Sequence, residues 1–477
     1  MASTDPLWRQ DAVTLARMLR AREVSCREVV ASALARLDAV NPALNAVVLA
    51  LPEQALAEAD AADHALAQGD AVGPLHGVPV TTKVNLDQRG CPTDNGIVEF
   101  KSLTAERDNP TIANLRRAGA IVIGRTNAPG FSMRWFTDNA LHGLTLNPWH
   151  SGRTCGGSSG GAASSVAAGI GAIAQGNDIA GSVRYPAYCC GVVGLRPTYG
   201  RVPAHNFTST SKRPISSQLM AVQGPLTRRV ADARLALAAM AAGDPNDPRW
   251  VDMPLAGPPA KRPIRVALVT DPAGRGGVDP AIADALRQAA AWLADAGYVV
   301  EEVSPPEFGQ AIDLWSKLAM DDVIAALEPY AAKFGDQDIK TALGYWRALH
   351  PPAGADRVLA ALGERDALLR LWQLFLEDYP LVLMATSNEP PFAVGRDVVS
   401  AAETANLMKA QATQLAIPVL GLPSVAVPTG IVPVEGGRVP VGVQIVAGRY
   451  REDLCLDAAE AIEARACVPT PIDPASA

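Results

Sequence analysis

The stretch from residue 153 to residue 203 reads RTCGGSSGGAASSVAAGIGAIAQGNDIAGSVRYPAYCCGVVGLRPTYGRVP. It holds two turns rich in glycine and serine, at residues 156–161 and 178–182, separated by a small, apolar segment. This pattern predicts a turn, a short helix, a strand and a second turn, so that Ser158 and Ser182 lie on separate loops that can meet at one site. Main-chain N–H groups in such turns can bind an anion, and in front of a nucleophile they form an oxyanion hole.

Two other interpretations of the first turn follow from the residues alone. A flexible Gly/Ser linker is disfavoured, because a tightly patterned apolar helix and strand follow it. The turn also fits the G-x-S-x-G nucleophile elbow of α/β-hydrolases twice, with Ser158 or with Ser159 at its centre. That elbow needs a strand directly before it, and SGRTC at residues 151–155 is a poor strand. It also needs a later histidine, for which the chain offers only His205 and His350.

The composition is that of a globular protein with a large core. The 477 residues are 48% hydrophobic and 19% charged, with a net charge of −7, which gives no electrostatic reason to expect nucleic-acid binding. We expect no membrane span and no signal peptide, because the chain lacks a sufficiently long apolar run. Seven cysteines without a C-x-x-C pair favour a reducing, cytoplasmic location over disulfides or zinc. No nucleotide or metal motif is present, so we expect no cofactor.

The central stretch resembles the signature block of the amidase signature enzymes. That block contains GGSSGG, then D-x-G-G-S-[IV]-R-x-P, then C-G-x-x-G-[LF]-[KR]-P-[TS]-x-G, and this chain matches it at residues 156–161, 178–186 and 190–200. Two departures stand out. Cys155 replaces a proline before GGSSGG, and Ala180 replaces the first glycine of a pair. Ala180 is the more consequential change, because its methyl group lies beside the presumed oxyanion hole.

A second matching segment contains Lys83, on the predicted strand PVTTKV. A lysine on an apolar strand either extends its amine to water or is buried for a function. The family carries G-[IV]-P-x-x-x-K here, so the resemblance places Lys83 on the catalytic lysine. If the side chain is buried among Val78, Val80 and Val84, desolvation lowers its pKa and lets it act as a base.

The resemblance also implies the roles of the other site residues. Ser182 is the nucleophile, and Ser158, which follows a cis peptide bond in this family, relays a proton between Ser182 and Lys83. The expected oxyanion-hole donors are the N–H groups of Ile179, Ala180, Gly181 and Ser182. A loop that passes the active site, together with the second serine of the block, provides the expected substrate-binding residues Phe131, Ser132, Met133, Trp135 and Ser159. The aromatic residues of this loop fit an ordinary core equally well. Gly157, Asp178 and Arg184 are expected to support the site structurally.

We therefore predict an α/β fold formed by one domain over residues 1–477, with a large mixed sheet covered by helices on both faces. Its expected parts are N-terminal helices at 1–68, a catalytic core at 70–260, a variable helical region at 306–380, and C-terminal strands and a helix at 381–465. A β-α-β unit is expected at 264–304.

The predicted function is hydrolysis of small linear amides, either aryl acylamides or primary amides, with carbamates and esters as further candidates. The enzyme would act as a monomer or homodimer without other partners. The alternatives are the glutamine-hydrolysing component of a tRNA-dependent amidotransferase and an α/β-hydrolase-type esterase. The departure at Ala180 and the unmatched region 306–380 speak against the amidotransferase.

Overall fold

The computed structural model describes residues 5–274 and 277–475, so the outermost residues of the predicted domain, 1–4 and 476–477, lie outside the described part. The sheet is built from short buried strands in its first half and a long hairpin near the C-terminus. In chain order the strands are β1 Val47–Ala50, β2 Pro79–Lys83, β3 Ile121–Thr126, β4 Ile173–Asp178, β5 Val193–Arg196, β6 Val222–Thr227, β7 Arg265–Val269, β8 Val299–Glu302, β9 Leu381–Ala385, β10 Ser424–Val434 and β11 Gly437–Ala447.

The described strands form one mixed sheet in the order β1-β3-β2-β4-β6-β5-β10-β11-β9-β7-β8. Strand β2 runs parallel to both β3 and β4. The middle of the sheet, from β4 through β6, β5, β10 and β11 to β9, is antiparallel. At the far edge β9, β7 and β8 are parallel again. The prediction of a large mixed sheet is confirmed.

Helices connect consecutive strands, except that β10 leads directly into β11. They are α1 Ala12–Arg20, α2 Cys26–Leu44, α3 Pro52–Gln68, α4 Pro110–Arg117, α5 Gly160–Ala167, α6 Arg184–Cys190, α7 Ile215–Met220, α8 Val230–Met240, α9 Pro280–Asp295, α10 Phe308–Leu318, α11 Ala325–Phe334, α12 Gln337–Leu349, α13 Ala355–Asp378, α14 Ala401–Ala410, α15 Ala412–Leu420 and α16 Glu452–Glu463. A π-helical segment, Ala319–Ile324, joins α10 to α11.

Helices cover both faces of the sheet. Side chains of alternate strand residues point to opposite faces and pack into two separate cores. In β9, Leu381 and Leu383 pack into one core, whereas Val382 and Met384 pack into the other. The first core includes residues of α1, α2, α3, α8, α9 and α16. The second includes residues of α5, α6, α10, α12, α13 and α15. This is the predicted α/β arrangement with two helical layers.

Local sequence signals account for several of these elements. Ser25 and Glu28 form the reciprocal hydrogen bonds of a capping box at the start of α2, as their spacing predicts. Gly69 ends α3 in the left-handed conformation, with φ of 82°. The predicted β-α-β unit is confirmed, with β7 and β8 paired in parallel on either side of α9 in sequence.

The parallel strands bring the two halves of the signature region together. Because β2 and β4 run in the same direction, their carboxyl ends lie at the same edge of the sheet. Lys83 is the last residue of β2, and Asp178 is the last residue of β4, directly before the second glycine-rich turn. The first turn leads into α5, whose first residue is Gly160. The predicted order of turn, helix, strand and turn is thus confirmed.

Candidate active site

The amine of Lys83 lies in a fully buried polar pocket at the end of β2. Its Nζ atom is 2.7 Å from Ser158 Oγ, 2.9 Å from Asn177 Oδ1 and 3.2 Å from Ser159 Oγ. Burial lowers the pKa of Lys83 well below its ordinary value, and the attraction of Asp178 opposes only part of that shift. Burial therefore favours the neutral amine, which is the form that can accept a proton.

The two serine-bearing loops contact each other through the main chain. The Ser159 N–H donates a hydrogen bond to the Ser182 carbonyl oxygen at 3.2 Å. The Gly157–Ser158 peptide bond is cis, as the resemblance implies. Both Ser158 and Ser182 line one cleft. The structure thus brings together Lys83, Ser158 and the loop of Ser182, which come from three separate parts of the chain.

Asp178 holds the second turn through buried charged hydrogen bonds. Its carboxylate accepts from Arg184 Nε at 3.0 Å and from Arg196 Nη1 at 3.2 Å, and all three side chains are fully buried. The same carboxylate accepts from the Gly181 N–H at 3.0 Å and from the Val183 N–H at 3.3 Å. Burial raises the pKa of Asp178, but the two guanidinium groups outweigh this effect, so its pKa lies well below the usual range.

Two tryptophans hold the carbonyl groups of the expected oxyanion loop. Trp135 Nε1 donates to the Ala180 carbonyl at 2.8 Å, and Trp315 Nε1 donates to the Ile179 carbonyl at 2.9 Å. In a trans peptide the N–H points opposite to the carbonyl, so the Trp315 hydrogen bond fixes the direction of the Ala180 N–H. Ala180 has no positive φ, so its methyl group is compatible with the backbone of this turn.

One of the expected oxyanion donors is already engaged within the protein. The Gly181 N–H donates to the Asp178 carboxylate. Within residues 5–274 and 277–475, the N–H groups of Ile179, Ala180 and Ser182 have no hydrogen-bond acceptor. That the N–H groups of these three residues bind an oxyanion stays a prediction.

Glycine is required at two positions of the turns. A Cβ atom on Gly157 would lie 2.4 Å from the Arg134 carbonyl oxygen, so this approach of two backbone segments excludes a side chain. Gly181 has φ of +91°, and a Cβ atom there would lie 2.6 Å from Gln414 Oε1.

The cleft in front of the serines has a volume of about 1110 Å³. Phe131, Ser132 and Met133 line it, as the sequence predicts for substrate-binding residues. Phe131 and Ser132 have positive φ values of 55° and 58°, a conformation that is uncommon outside glycine and is often found at functional sites. Trp135 and Ser159 are not among the cleft-lining residues in the described part of the chain. Trp135 instead supports the oxyanion loop, and Ser159 contacts Lys83.

Comparison with known proteins shows the family of this chain. The sequence model of the family described as Amidase matches residues 28–456. The chain belongs to the amidase family. It is a hydrolase that cleaves C–N bonds of amides.

Individual relatives match 80% or more of this amidase. It is 47% identical to the indoleacetamide hydrolase of Bradyrhizobium diazoefficiens over 464 residues, which are 97% of this chain and 88% of that protein. It is 48% identical to the indoleacetamide hydrolase of Bradyrhizobium japonicum over 380 residues, which are 80% of this chain and 81% of that protein. It also resembles the solved structure of 6-aminohexanoate cyclic dimer hydrolase complexed with substrate, with a TM-score of 0.81, 28% identity, and coverage of 97% and 98%.

The nucleophile elbow of an α/β-hydrolase has no counterpart in this amidase. The residues directly before Gly156 form turns and two isolated bridges, Thr154 with Leu146 and Arg153 with Ala393, not the strand that the elbow requires. Ser159, the centre of the second possible elbow, is fully buried.

Sequence reasoning missed several residues of the site. Asn177 contacts the Lys83 amine, and its only signal was its place next to Asp178 in the signature block. The region 306–380, which had no recognised role, provides Trp315. Part of the cleft wall also comes from this region: Val323, Ala326, Leu327, Tyr330 and Phe334. Nothing in their local sequence pattern distinguishes these residues from ordinary helix residues.

The described residues, 5–274 and 277–475, offer neither a cluster of metal-ligating side chains nor a helix suited to cross a membrane. No group of three or more His, Cys, Asp or Glu side chains there is arranged to hold a metal ion. None of the helices in that part of the chain has the length and apolarity needed to cross a membrane.

Proposed function

We propose that this amidase hydrolyses primary amides of arylacetic acids, such as indole-3-acetamide, through an acyl-enzyme on Ser182. The observation that carries the proposal is the buried contact of 2.7 Å between Lys83 Nζ and Ser158 Oγ, beside a cleft that Ser182 also lines. The 47% identity to an indoleacetamide hydrolase supports the choice of substrate. Aryl acylamides, carbamates and esters are secondary candidates, since the same nucleophile can attack their carbonyl groups.

In the proposed reaction, Ser182 Oγ attacks the amide carbonyl carbon while its proton passes to Ser158 and the Ser158 proton passes to Lys83. The N–H groups of Ile179, Ala180 and Ser182 stabilise the resulting oxyanion. When the C–N bond breaks, Ser158 gives a proton to the leaving nitrogen and takes one back from Lys83, so that ammonia leaves. A water molecule then attacks the Ser182 ester, which releases the carboxylic acid and restores the hydroxyl group.

Aromatic and aliphatic side chains that line the cleft support an aryl substrate. Phe100 packs edge-on against Phe131, with ring centroids 6.3 Å apart, and at 5.5 Å from Phe334. An indole or phenyl ring can pack against such surfaces in the offset or edge-on geometries that aromatic pairs prefer. The large aromatic and aliphatic residues of the cleft lining include Leu86, Phe100, Leu103, Phe131, Met133, Val323, Leu327, Tyr330 and Phe334.

The proposal includes a cytoplasmic enzyme that acts as a monomer or homodimer. All seven cysteines are unpaired, and six of them are buried. Free thiols without disulfides are typical of a reducing compartment.

The first test compares substrates with the purified single chain, measuring ammonia release. We expect kcat/KM for indole-3-acetamide to exceed that for acetamide by at least about 100-fold, because the cleft buries the ring. Glutamine serves as the third substrate, because a glutamine-hydrolysing amidotransferase component is the alternative function. Faster hydrolysis of glutamine than of indole-3-acetamide would contradict the arylacetamide proposal.

The second test identifies the nucleophile. A fluorophosphonate probe should add a single label to the peptide that contains Ser182, and Ser182→Ala should lose both the label and the activity. Ser165→Ala is the matched control, since Ser165 is a buried serine of the same signature stretch whose hydroxyl, among the described residues, bonds only to the Ala162 carbonyl. A label on Ser159 would instead support the elbow mechanism.

A further inference from the structure

The side chain of Asn177 completes a shell of three oxygens around the Lys83 amine. Ser158 Oγ, Asn177 Oδ1 and Ser159 Oγ lie 2.7, 2.9 and 3.2 Å from Nζ. A protonated lysine has three hydrogens and can donate one to each oxygen. A neutral amine has only two hydrogens and one lone pair. It can therefore act as a base toward Ser158 only when both hydrogens point to the other two oxygens.

The hydrogen bonds of Ser159 leave its oxygen free to accept from Lys83. The Ser159 hydroxyl donates to the Asn177 carbonyl oxygen at 3.4 Å. Its oxygen also accepts from the Asn177 N–H at 3.3 Å. Because the only hydrogen of this hydroxyl is already used, Ser159 meets the lysine as an acceptor.

Asn85 orients the side-chain amide of Asn177 so that it too accepts from Lys83. Its Nδ2 atom donates to Asn85 Oδ1 at 3.0 Å, so Oδ1 is the atom that faces Lys83. A lysine that is protonated for part of each turnover must be surrounded by acceptors, and this orientation provides one. With Ser159 and Asn177 both accepting, the lone pair of the neutral amine points to Ser158.

The network continues to the substrate cleft. Asn85 Nδ2 donates to Ser132 Oγ at 2.9 Å, and the Ser132 hydroxyl donates to Asn95 Oδ1 at 2.7 Å. Asn85, Asn95 and Ser132 all line the cleft. The amides of Asn177 and Asn85 and the hydroxyl of Ser132 each donate to the next member of this chain, which fixes the orientation of the two amides.

We propose that Asn177 is a positioning residue that directs the lone pair of the neutral Lys83 amine toward Ser158, with Asn85 fixing the orientation of the Asn177 amide. This inference rests on the proposed function of Lys83 as the base. Asn177 acts through Lys83 and takes no part in bond making itself. The charged side chain that acts on Lys83 is Asp178, and Arg184 and Arg196 pair with it.

The test uses two variants of Asn177 and follows kcat and KM across pH. Asn177→Asp places a carboxylate where the amide lies, which stabilises the protonated lysine. We expect the low-pH limb of the plot of kcat/KM against pH (the acid limb) to shift to higher pH by at least about one unit, with activity partly recovered at alkaline pH. Asn177→Leu removes the acceptor without adding charge. We expect kcat to fall at least about 10-fold, with KM changed less than about 3-fold and no upward shift of the acid limb.

Asn85→Asp provides a graded comparison. It introduces the same charge one step farther along the hydrogen-bond network from the lysine, and its carboxylate can still accept from Asn177 Nδ2. Its acid limb should move less than that of Asn177→Asp. Thermal unfolding of each variant checks that the fold is intact.

Lys83→Met, measured alongside, separates failure of this inference from failure of the proposed function. If Lys83→Met is inactive while both Asn177 variants keep the wild-type acid limb and change only KM, Asn177 is a wall of the cleft and the inference is wrong. If Lys83→Met retains amidase activity, Lys83 is not the base, and the proposed mechanism fails together with the inference.

Discussion

The indole nitrogen of Trp315 donates a hydrogen bond to the Ile179 carbonyl oxygen at 2.9 Å, although 136 residues separate the two in sequence. Trp315 also packs edge-on against Trp346, with ring centroids 5.5 Å apart, and Trp346 packs against Trp135 at 5.3 Å. Trp135 in turn donates to the Ala180 carbonyl. A cluster of three tryptophans thus packs against the second glycine-rich turn and holds two of its carbonyl groups.

Replacing Trp315 with phenylalanine should weaken catalysis more than binding. Trp315→Phe keeps an aromatic ring but removes the N–H that fixes the peptide between Ile179 and Ala180. Direct loss of an oxyanion donor costs about 10²–10³-fold in kcat. Because Trp315 acts through the loop, we expect a smaller loss, about 10-fold in kcat, with little change in KM. Steady-state kinetics on one amide checks this.

Trp372→Phe is the matched control for that variant. Trp372 lies on α13 in the same helical region and is equally buried, with 1% of its surface exposed. Within the described residues its indole nitrogen has no hydrogen-bond partner. The smaller ring costs folding stability, as any large-to-small core change does, but because Trp372 holds no loop through its N–H, kcat should stay within about 2-fold of the wild type. Equal losses of kcat in the two variants would show that Trp315 matters only as packing.

Removing the Asp178 charge should destabilise the protein strongly. Asp178→Asn leaves Arg184 and Arg196 without their carboxylate, and both guanidinium groups are fully buried. Breaking a buried pair in this way costs about 3–5 kcal/mol of unfolding free energy. Denaturant unfolding gives that quantity. In the control, Asp457→Asn removes one partner of an exposed pair with Arg234 and should cost no more than about 1 kcal/mol. A loss below about 1 kcal/mol for Asp178→Asn would contradict the argument.

The signature stretch allowed the sequence to predict the centre of the site. Its turn, helix, strand and turn follow from local glycine, serine and apolar patterns, and the match of Lys83 came from a second short motif. Both kinds of signal are local in sequence. The site assembles at one edge of the sheet because β2 and β4 are parallel neighbours. This pairing did not follow from the motifs themselves, but only from the fold that the resemblance implied.

The supporting residues could not be predicted in the same way. Trp315 lies on an amphipathic helix, where a tryptophan is expected to be core, and only the tertiary fold brings its N–H to Ile179. Asn177 contacts Lys83, although 94 residues separate the two in sequence. The hydrophobic pattern of a sequence does not show which asparagine will accept a hydrogen bond from a distant lysine. Trp135 was predicted to bind substrate, but in the structure its indole donates to the Ala180 carbonyl and does not line the cleft. The sequence pattern of a loop does not reveal which of its side chains point into a cleft.

The buried amine of Lys83 should make the stability of the protein depend on pH. In the unfolded chain the pKa of a lysine is about 10.4, whereas in the folded protein burial holds the pKa of Lys83 well below its ordinary value. Between these two pKa values the unfolded chain binds one more proton than the folded chain. The unfolding free energy therefore rises with pH in that window, by about 1.4 kcal/mol per pH unit from this group.

Lys83→Met isolates this effect, because the variant lacks the amine while all other titrating groups are shared. We expect the unfolding free energy of the wild type, minus that of Lys83→Met, to increase from neutral pH to about pH 10. Denaturant unfolding of both proteins at several pH values measures the difference. A difference that stays constant with pH would show that Lys83 is protonated in the folded protein and cannot serve as a base at neutral pH.

Amides and esters should respond differently to loss of the proton relay. An amine leaves poorly unless it is protonated, whereas a phenolate leaves unaided, and general acid catalysis is worth about 10²–10⁴-fold. Lys83→Ala and Ser158→Ala should therefore reduce kcat/KM for an anilide more than for the phenyl ester of the same acid. Ser182→Ala removes the nucleophile and should reduce both about equally. Equal losses on the two substrates in Lys83→Ala would mean that Lys83 supplies no proton to the leaving group, and circular dichroism would then tell whether that variant has lost its fold.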